Sequence, residues 1–190
     1  QKLQMATQEG ANVEVIAIHG NFDDAQSAVK RIFTDDETRA QLDRDGMMLS
    51  SANSINWGRL APQIAYYVSA YCDMVKAGTI RQGDRINVCV PTGNFGNILA
   101  AYIAKQMGLP VNKFICASNR NNVLTDFFKK DGEYNRNRDF YTTTSPSMDI
   151  LISSNLERLL FFASDFDDRM VAELMAKLNG EGSYKVASDV

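Results

Sequence analysis

The chain has 190 residues, 45% of them apolar and 23% charged, with a formal net charge of −3. That is the make-up of an ordinary globular protein: one good domain, or one domain and part of another. The negative balance argues against a nucleic-acid protein, and no apolar run is long enough to span a membrane.

No signal peptide opens the chain, and Gln1 falls in what reads as mid-helix, which suggests a fragment or a processed product. Residues 2–8 read as helix and residues 13–18 as a strand. Phe22, Ala25, Val29, Ile32 and Phe33 recur at helical spacing, so residues 23–33 form a helix. Thr34 and Glu37 have the spacing of a capping box, with Thr34 as cap of a short helix to about Leu42. Met47, Met48 and Leu49 suit a short strand. Residues 55–77 read as one long helix, kinked at Pro62 and stopped by Gly78.

Residues 86–90 form a strand, 97–107 a helix, 113–117 a strand and 122–130 a helix. Short connections in this run imply a parallel sheet. The basic run at residues 129–138 is broken by acids and Asn, and reads as a solvated loop. Ser154 and Glu157 have the spacing of a second capping box, Asp165 or Asp167 caps the last helix, and the tail from Gly180 is loosely held. Cys72, Cys89 and Cys116 are odd in number and far apart. They read as buried thiols in a reducing compartment.

The chemistry concentrates in two stretches. Gly93, Asn94, Phe95, Gly96 and Asn97 lie between a strand and a helix. The glycines leave amides uncovered, and a helix start adds free N–H groups and a positive dipole end. Together these suit a phosphate; an ordinary strand-to-helix turn fits the same pattern. A P-loop needs four residues between its glycines and a Lys after them, and a dinucleotide loop needs a third glycine; neither is present. Upstream, Asn53 and Ser54 precede a helix that carries Arg59, the only basic residue between Arg44 and Lys76. An arginine fork suits a phosphate, and a helix cap plus a surface arginine suits the same residues. His19 stands alone, with no metal-ligand spacing around it, and no metal site is expected. The acidic pairs at residues 23–24, 35–36 and 167–168 lie at helix starts, where they complement the dipole.

Three stretches, residues 51–60, 90–97 and 145–151, resemble threonine synthase, a pyridoxal-phosphate enzyme of the tryptophan-synthase-β fold type. The resemblance runs collinearly to at least Leu160. It implies a three-layer α/β/α architecture with a mostly parallel sheet. Residues 1–45 would end the small domain, and residues 46–190 would form much of the large one. It implies that Gly93, Asn94, Phe95, Gly96 and Asn97 hold the cofactor phosphate, and that Asn53, Ser54 and Arg59 hold the phosphate of O-phosphohomoserine. The implied reaction is a β,γ-replacement: protons leave Cα and Cβ, phosphate leaves Cγ, and water adds at Cβ to give threonine. A cytoplasmic monomer or homodimer is expected. Three family features are not found in this stretch: the cofactor lysine, the carboxylate-binding loop and the residue at the pyridine nitrogen. No catalytic residue is therefore assigned, and the 190 residues alone are expected to be inactive. The alternatives are another enzyme of this fold type, such as a threonine dehydratase or a cysteine synthase relative, and a non-enzymatic anion-binding module. The second phosphate site argues against the first of these.

Overall fold

The structure is a computed structural model that describes residues 7–20 and 22–187. The chain divides into two compact units, Gln1–Met48 and Leu49–Val190. In the first, the helical spacing of residues 23–33 yields α1 (Phe22–Thr34), followed by α2 (Asp36–Arg44). The cap of α2 falls one residue later than the sequence suggests. Asp35 has the extended backbone of a cap, and its carboxylate accepts from Thr38 N at 2.9 Å. Thr34 still belongs to α1, and its hydroxyl donates to the carbonyls of Lys30 and Arg31. The expected helix at residues 2–8 lies mostly outside the described residues.

Residues 13–18 do not form the expected strand. One antiparallel bridge joins Gly10 to Val13, and Ile16 is 75% exposed. Alternation of apolar residues supplies a face but not a partner, and a strand without one leaves its backbone groups to water. Met47 and Met48 likewise form no strand, and both are exposed.

In the second unit, residues 55–77 make two helices joined by a tighter turn: α3 (Trp57–Leu60), a 3₁₀ turn (Ala61–Gln63) and α4 (Ile64–Lys76). The start is set by Asn56, whose side chain accepts from Gly58 N at 2.9 Å. Pro62 sits in the 3₁₀ turn, where its missing N–H interrupts the α-helical ladder.

The parallel pair follows as expected: β1 (Ile86–Pro91), α5 (Gly96–Gln106), β2 (Val111–Ala117) and α6 (Val123–Lys129). This is an α/β fold with a parallel sheet. Val88 pairs with Phe114 and Val90 with Cys116. Val88 and Val90 are buried and belong to one core cluster with Ile98, Leu99, Ala100 and Ala101 of α5. Successive residues point to opposite faces, so Cys89 and its partner Ile115 lie on the other face, and both are exposed. The expected burial of the thiols is therefore corrected: Cys72 and Cys89 are exposed and Cys116 is half-buried, all three as free thiols. Burial pushes the Cys116 thiol up, against a smaller opposite pull from Thr92.

After α6 come β3 (Glu133–Asn135), a 3₁₀ turn (Pro146–Met148), α7 (Leu156–Ala163), α8 (Asp168–Glu181) and β4 (Ser183–Lys185). Asp167 caps α8, accepting from Met170 N at 2.9 Å. The tail is held rather than loose as far as Ala187. β4 pairs antiparallel with β3, and the buried rings of Tyr134 and Tyr184 stack with centroids 5.2 Å apart. The basic run is correspondingly more than a solvated loop. It contains β3, and the Arg138 guanidinium pairs with Asp126 at 3.0 Å.

Candidate functional site

β1 and β2 end side by side, and the loops beyond their carboxyl ends meet. Ligands of open parallel sheets bind at this edge. Thr92 N donates to the Ala117 carbonyl at 2.8 Å, which ties the first loop to the end of β2. Phe95 then takes a left-handed conformation, with φ 63° and ψ 1°. Such a backbone costs a non-glycine residue roughly 1–2 kcal/mol. Burial of its ring, 6.1 Å from the Phe128 ring, holds it there.

The turn at Phe95 launches α5, whose first backbone bond runs from Leu99 N to the Phe95 carbonyl. The six amides from Gly93 to Ile98 therefore donate to no group among the described residues. Consecutive free N–H groups at the positive end of a helix form an anion site.

Each glycine makes room for a different segment. A Cβ on Gly96 would lie 2.6 Å from Ser54 Cβ and 2.7 Å from Ser54 Oγ. A Cβ on Gly93 would lie 2.8 Å from Ile150 Cδ1. The three stretches singled out in the sequence thus converge on one loop: residues 51–60 against Gly96, and residues 145–151 against Gly93.

The upstream stretch is a folded-back loop. Asn53 Oδ1 accepts from Ile55 N at 3.1 Å, and Asn56 Nδ2 donates to the Ser51 carbonyl at 2.9 Å. Arg59 Nε donates to the Ala52 carbonyl at 2.9 Å, so the side chain curls across the loop instead of lying along its helix. No carboxylate among the described residues pairs with Arg59, and its terminal N–H groups stay available. Ser54 joins this loop to the glycine loop, because it lies directly against Gly96.

No protein-family model matches the chain. Human threonine synthase-like 1 is 49% identical over 188 residues, 98% of this chain and 25% of that protein. Threonine synthase from Eremothecium gossypii is 46% identical over 162 residues, 85% of this chain and 30% of that protein. The structure of pyridoxal-phosphate-bound threonine synthase from Brucella melitensis superposes with a TM-score of 0.80 at 39% identity, over 100% of this chain and 39% of that one. This chain belongs to the threonine synthase family. It spans 25% to 39% of the length of these relatives. The family's cofactor is pyridoxal phosphate, as bound in the Brucella structure.

The residues present fit a phosphate-bearing cofactor, since six successive amides at the start of α5 have no acceptor among the described residues. Asn97 adds to that site in a way the sequence does not disclose. The Tyr67 hydroxyl donates to the Asn97 carbonyl at 3.1 Å and to its side-chain oxygen, which leaves Nδ2 free to face an anion. Burial pushes the Tyr67 pKa up to about 12, so the hydroxyl keeps its proton as a donor.

Two further groups support the loops. Asp149 is 3% exposed and accepts from Thr143 N (2.8 Å), Thr143 Oγ1 (2.7 Å), Asn119 Nδ2 (2.7 Å) and Asn121 Nδ2 (3.0 Å). Burial alone would push its carboxyl up, but these four donors outweigh it and hold the pKa below the usual value. Its neighbour Ile150 is the residue that fits Gly93. Asn155 opens α7 but caps nothing there, which corrects the second capping box: its side chain reaches across to the loops instead.

An apolar cavity of about 400 Å³ lies behind Phe95 and Ile98, with Tyr102, Phe114 and Phe128 among its walls. Thr125 and Lys129 also line it. Among the described residues no cluster of His, Cys, Asp or Glu could hold a metal ion. No helix among them is long and apolar enough to cross a membrane.

Proposed function

We propose that this chain is the phosphate-binding part of an enzyme that converts O-phosphohomoserine and water to threonine and phosphate. The observation that carries the reading is the packing of Ser54, in the loop of Asn53 and Arg59, against Gly96 of the free-amide loop. One cofactor phosphate accounts for the free-amide loop; a second loop beside it calls for a substrate that carries its own phosphate. In this reading Gly93, Asn94, Phe95, Gly96 and Asn97 hold the cofactor phosphate through the amides at the start of α5. Asn53, Ser54 and Arg59 hold the substrate phosphate.

Pyridoxal phosphate, when bound, supplies an electron sink that acidifies the substrate's Cα and Cβ protons. The chain's own residues orient the substrate and stabilise its leaving group. Arg59 offers its free N–H groups to the phosphate as the bond to Cγ breaks, Ser54 offers its hydroxyl, and Asn53 offers Nδ2, since its Oδ1 is turned inward. Donors fixed before charge develops are worth most. Residues 1–45 belong to the smaller domain and residues 46–190 to the cofactor domain. Three free thiols suit a reducing compartment such as the cytoplasm.

Arg59→Ala, made in the protein at its relatives' full length, should raise KM for O-phosphohomoserine on the order of 10- to 100-fold, the loss of a charge-assisted bidentate contact. Cofactor affinity, followed by absorbance titration, should stay as in wild type. Loss of cofactor affinity with KM unchanged would mean that the two phosphates are assigned the wrong way round. The same assay on the 190 residues alone, with pyridoxal phosphate added, should yield no threonine.

A second reading rests on the relatives' names. Identity is 49% to a chain called threonine synthase-like 1 and 46% to one called threonine synthase. The same two phosphate sites would then serve a different product. Identifying the amino or keto acid released in the assay separates the two readings.

A further inference from the structure

Asn155 is fully buried, yet it lies at the start of α7, where its side chain serves no cap. Both of its amide hydrogens are committed elsewhere. Nδ2 donates to Ser54 Oγ at 3.0 Å and to the Asn94 carbonyl at 3.0 Å, and its backbone N donates to the same carbonyl at 3.0 Å. Oδ1 accepts from Arg158, one turn along the helix. The orientation of the amide follows from its partners: a carbonyl can only accept and a guanidinium can only donate.

Arg158 extends the same link. Its guanidinium donates to the Ser54 carbonyl at 2.9 Å and to the Ile55 carbonyl, besides Asn155 Oδ1. No carboxylate among the described residues pairs with it. A polarised chain therefore runs from Arg158 through Asn155 to Ser54, which donates in turn to Asn53 Oδ1 at 3.4 Å. Asn155 fills one lone pair of Ser54 Oγ and so fixes the side chain, whose single proton points to Asn53 Oδ1 and would swing from there to a bound anion. By holding the Asn94 carbonyl, it fixes the peptide whose N–H is that of Phe95, one of the six unpaired amides of the loop.

We infer that Asn155 and Arg158 are positioning residues that lock the two phosphate loops into one pre-organised unit. Neither touches a phosphate. Asn155 belongs to both loops, through Ser54 and Asn94. Arg158 belongs to the substrate loop, through two of its carbonyls. The assignment of ligands to the loops rests on the function proposed above; the lock itself does not.

The test uses the full-length protein. Asn155→Ala should weaken cofactor binding and raise KM for O-phosphohomoserine together, each by at least about tenfold, the size expected when a buried network loses its central member. Arg158→Lys keeps the charge but cannot span three acceptors. It should raise KM by about tenfold and leave cofactor affinity within about threefold. Hydrogen exchange should rise in residues 51–60 and 93–98 with Asn155→Ala, and in residues 51–60 with Arg158→Lys. A role confined to stability would lower Tm and leave affinity, KM and loop exchange unchanged well below Tm; that outcome overturns the inference. If Asn155→Ala fails to fold, Arg158→Lys decides alone, and a normal KM with normal exchange rejects the lock. If wild type neither binds pyridoxal phosphate nor consumes the substrate, the proposed function fails, while the exchange measurement still decides the lock.

Discussion

Gly96→Ala is expected to destabilise the full-length protein by about 2 kcal/mol, the range of an overpacked core, and to abolish tight cofactor binding. The reason is local. The added methyl would lie 2.6 Å from Ser54 Cβ and 2.7 Å from Ser54 Oγ, with Asn155 Nδ2 at 3.3 Å. No far end of a flexible chain is available to move aside. Ser54 is held at its hydroxyl by Asn155 and at its carbonyl by Arg158. Either the loop of residues 51–59 retreats or α5 shifts, and both separate the two proposed anion sites. Denaturant unfolding and a cofactor titration read the two effects. Gly180→Ala is the control. That glycine lies within α8 with nothing within 4 Å of the added carbon, so the change should be neutral or stabilise by roughly 0.5–1 kcal/mol. If Gly96→Ala behaves like Gly180→Ala, the contact with Ser54 is not what the glycine is for.

Asp149→Ala is expected to destabilise by about 3 kcal/mol at neutral pH, since four donors aimed into a closed site lose their acceptor. The effect should reach the phosphate loop, because Ile150 beside it packs against Gly93. The pH dependence has a definite sign. The folded pKa is depressed, so the stabilisation is complete above the unfolded value of about 3.9 and is lost as pH falls through the lower folded value. The difference between wild type and Asp149→Ala should therefore hold from neutral pH down to about 4 and shrink below it. Unfolding free energies at several pH values measure this. A difference that grew on acidification would contradict the carboxylate account.

What the sequence discloses and what it hides divide by distance along the chain. β1, α5, β2 and α6 are legible to within two residues because apolar spacing and glycine stops are local. The glycine turn between β1 and α5 is legible for the same reason, as is the break at Pro62. Strand 13–18 misleads because alternation describes a face and says nothing of a partner. The tail misleads in the opposite direction: its order comes from Tyr184 stacking on Tyr134, fifty residues earlier. Thr34 and Asp35 both suit a cap, and local pattern does not choose between them. Asn155 is the clearest case. The spacing of Ser154 to Glu157 marks a helix start, and the helix begins there, one residue later, after Asn155. The Asn155 side chain, however, serves Ser54, 101 positions away in sequence, and nothing local to either residue signals that bond.

A crystal structure of the full-length protein grown with pyridoxal phosphate and inorganic phosphate tests the central claim most directly. The cofactor phosphate should lie at hydrogen-bond distance, about 2.7–3.2 Å, from amides between Gly93 and Ile98. The second anion should rest on Ser54 and Arg59, with Asn155 still bridging the loops. A cofactor phosphate bound away from the start of α5, or a second phosphate that leaves Ser54 and Arg59 untouched, would contradict the account.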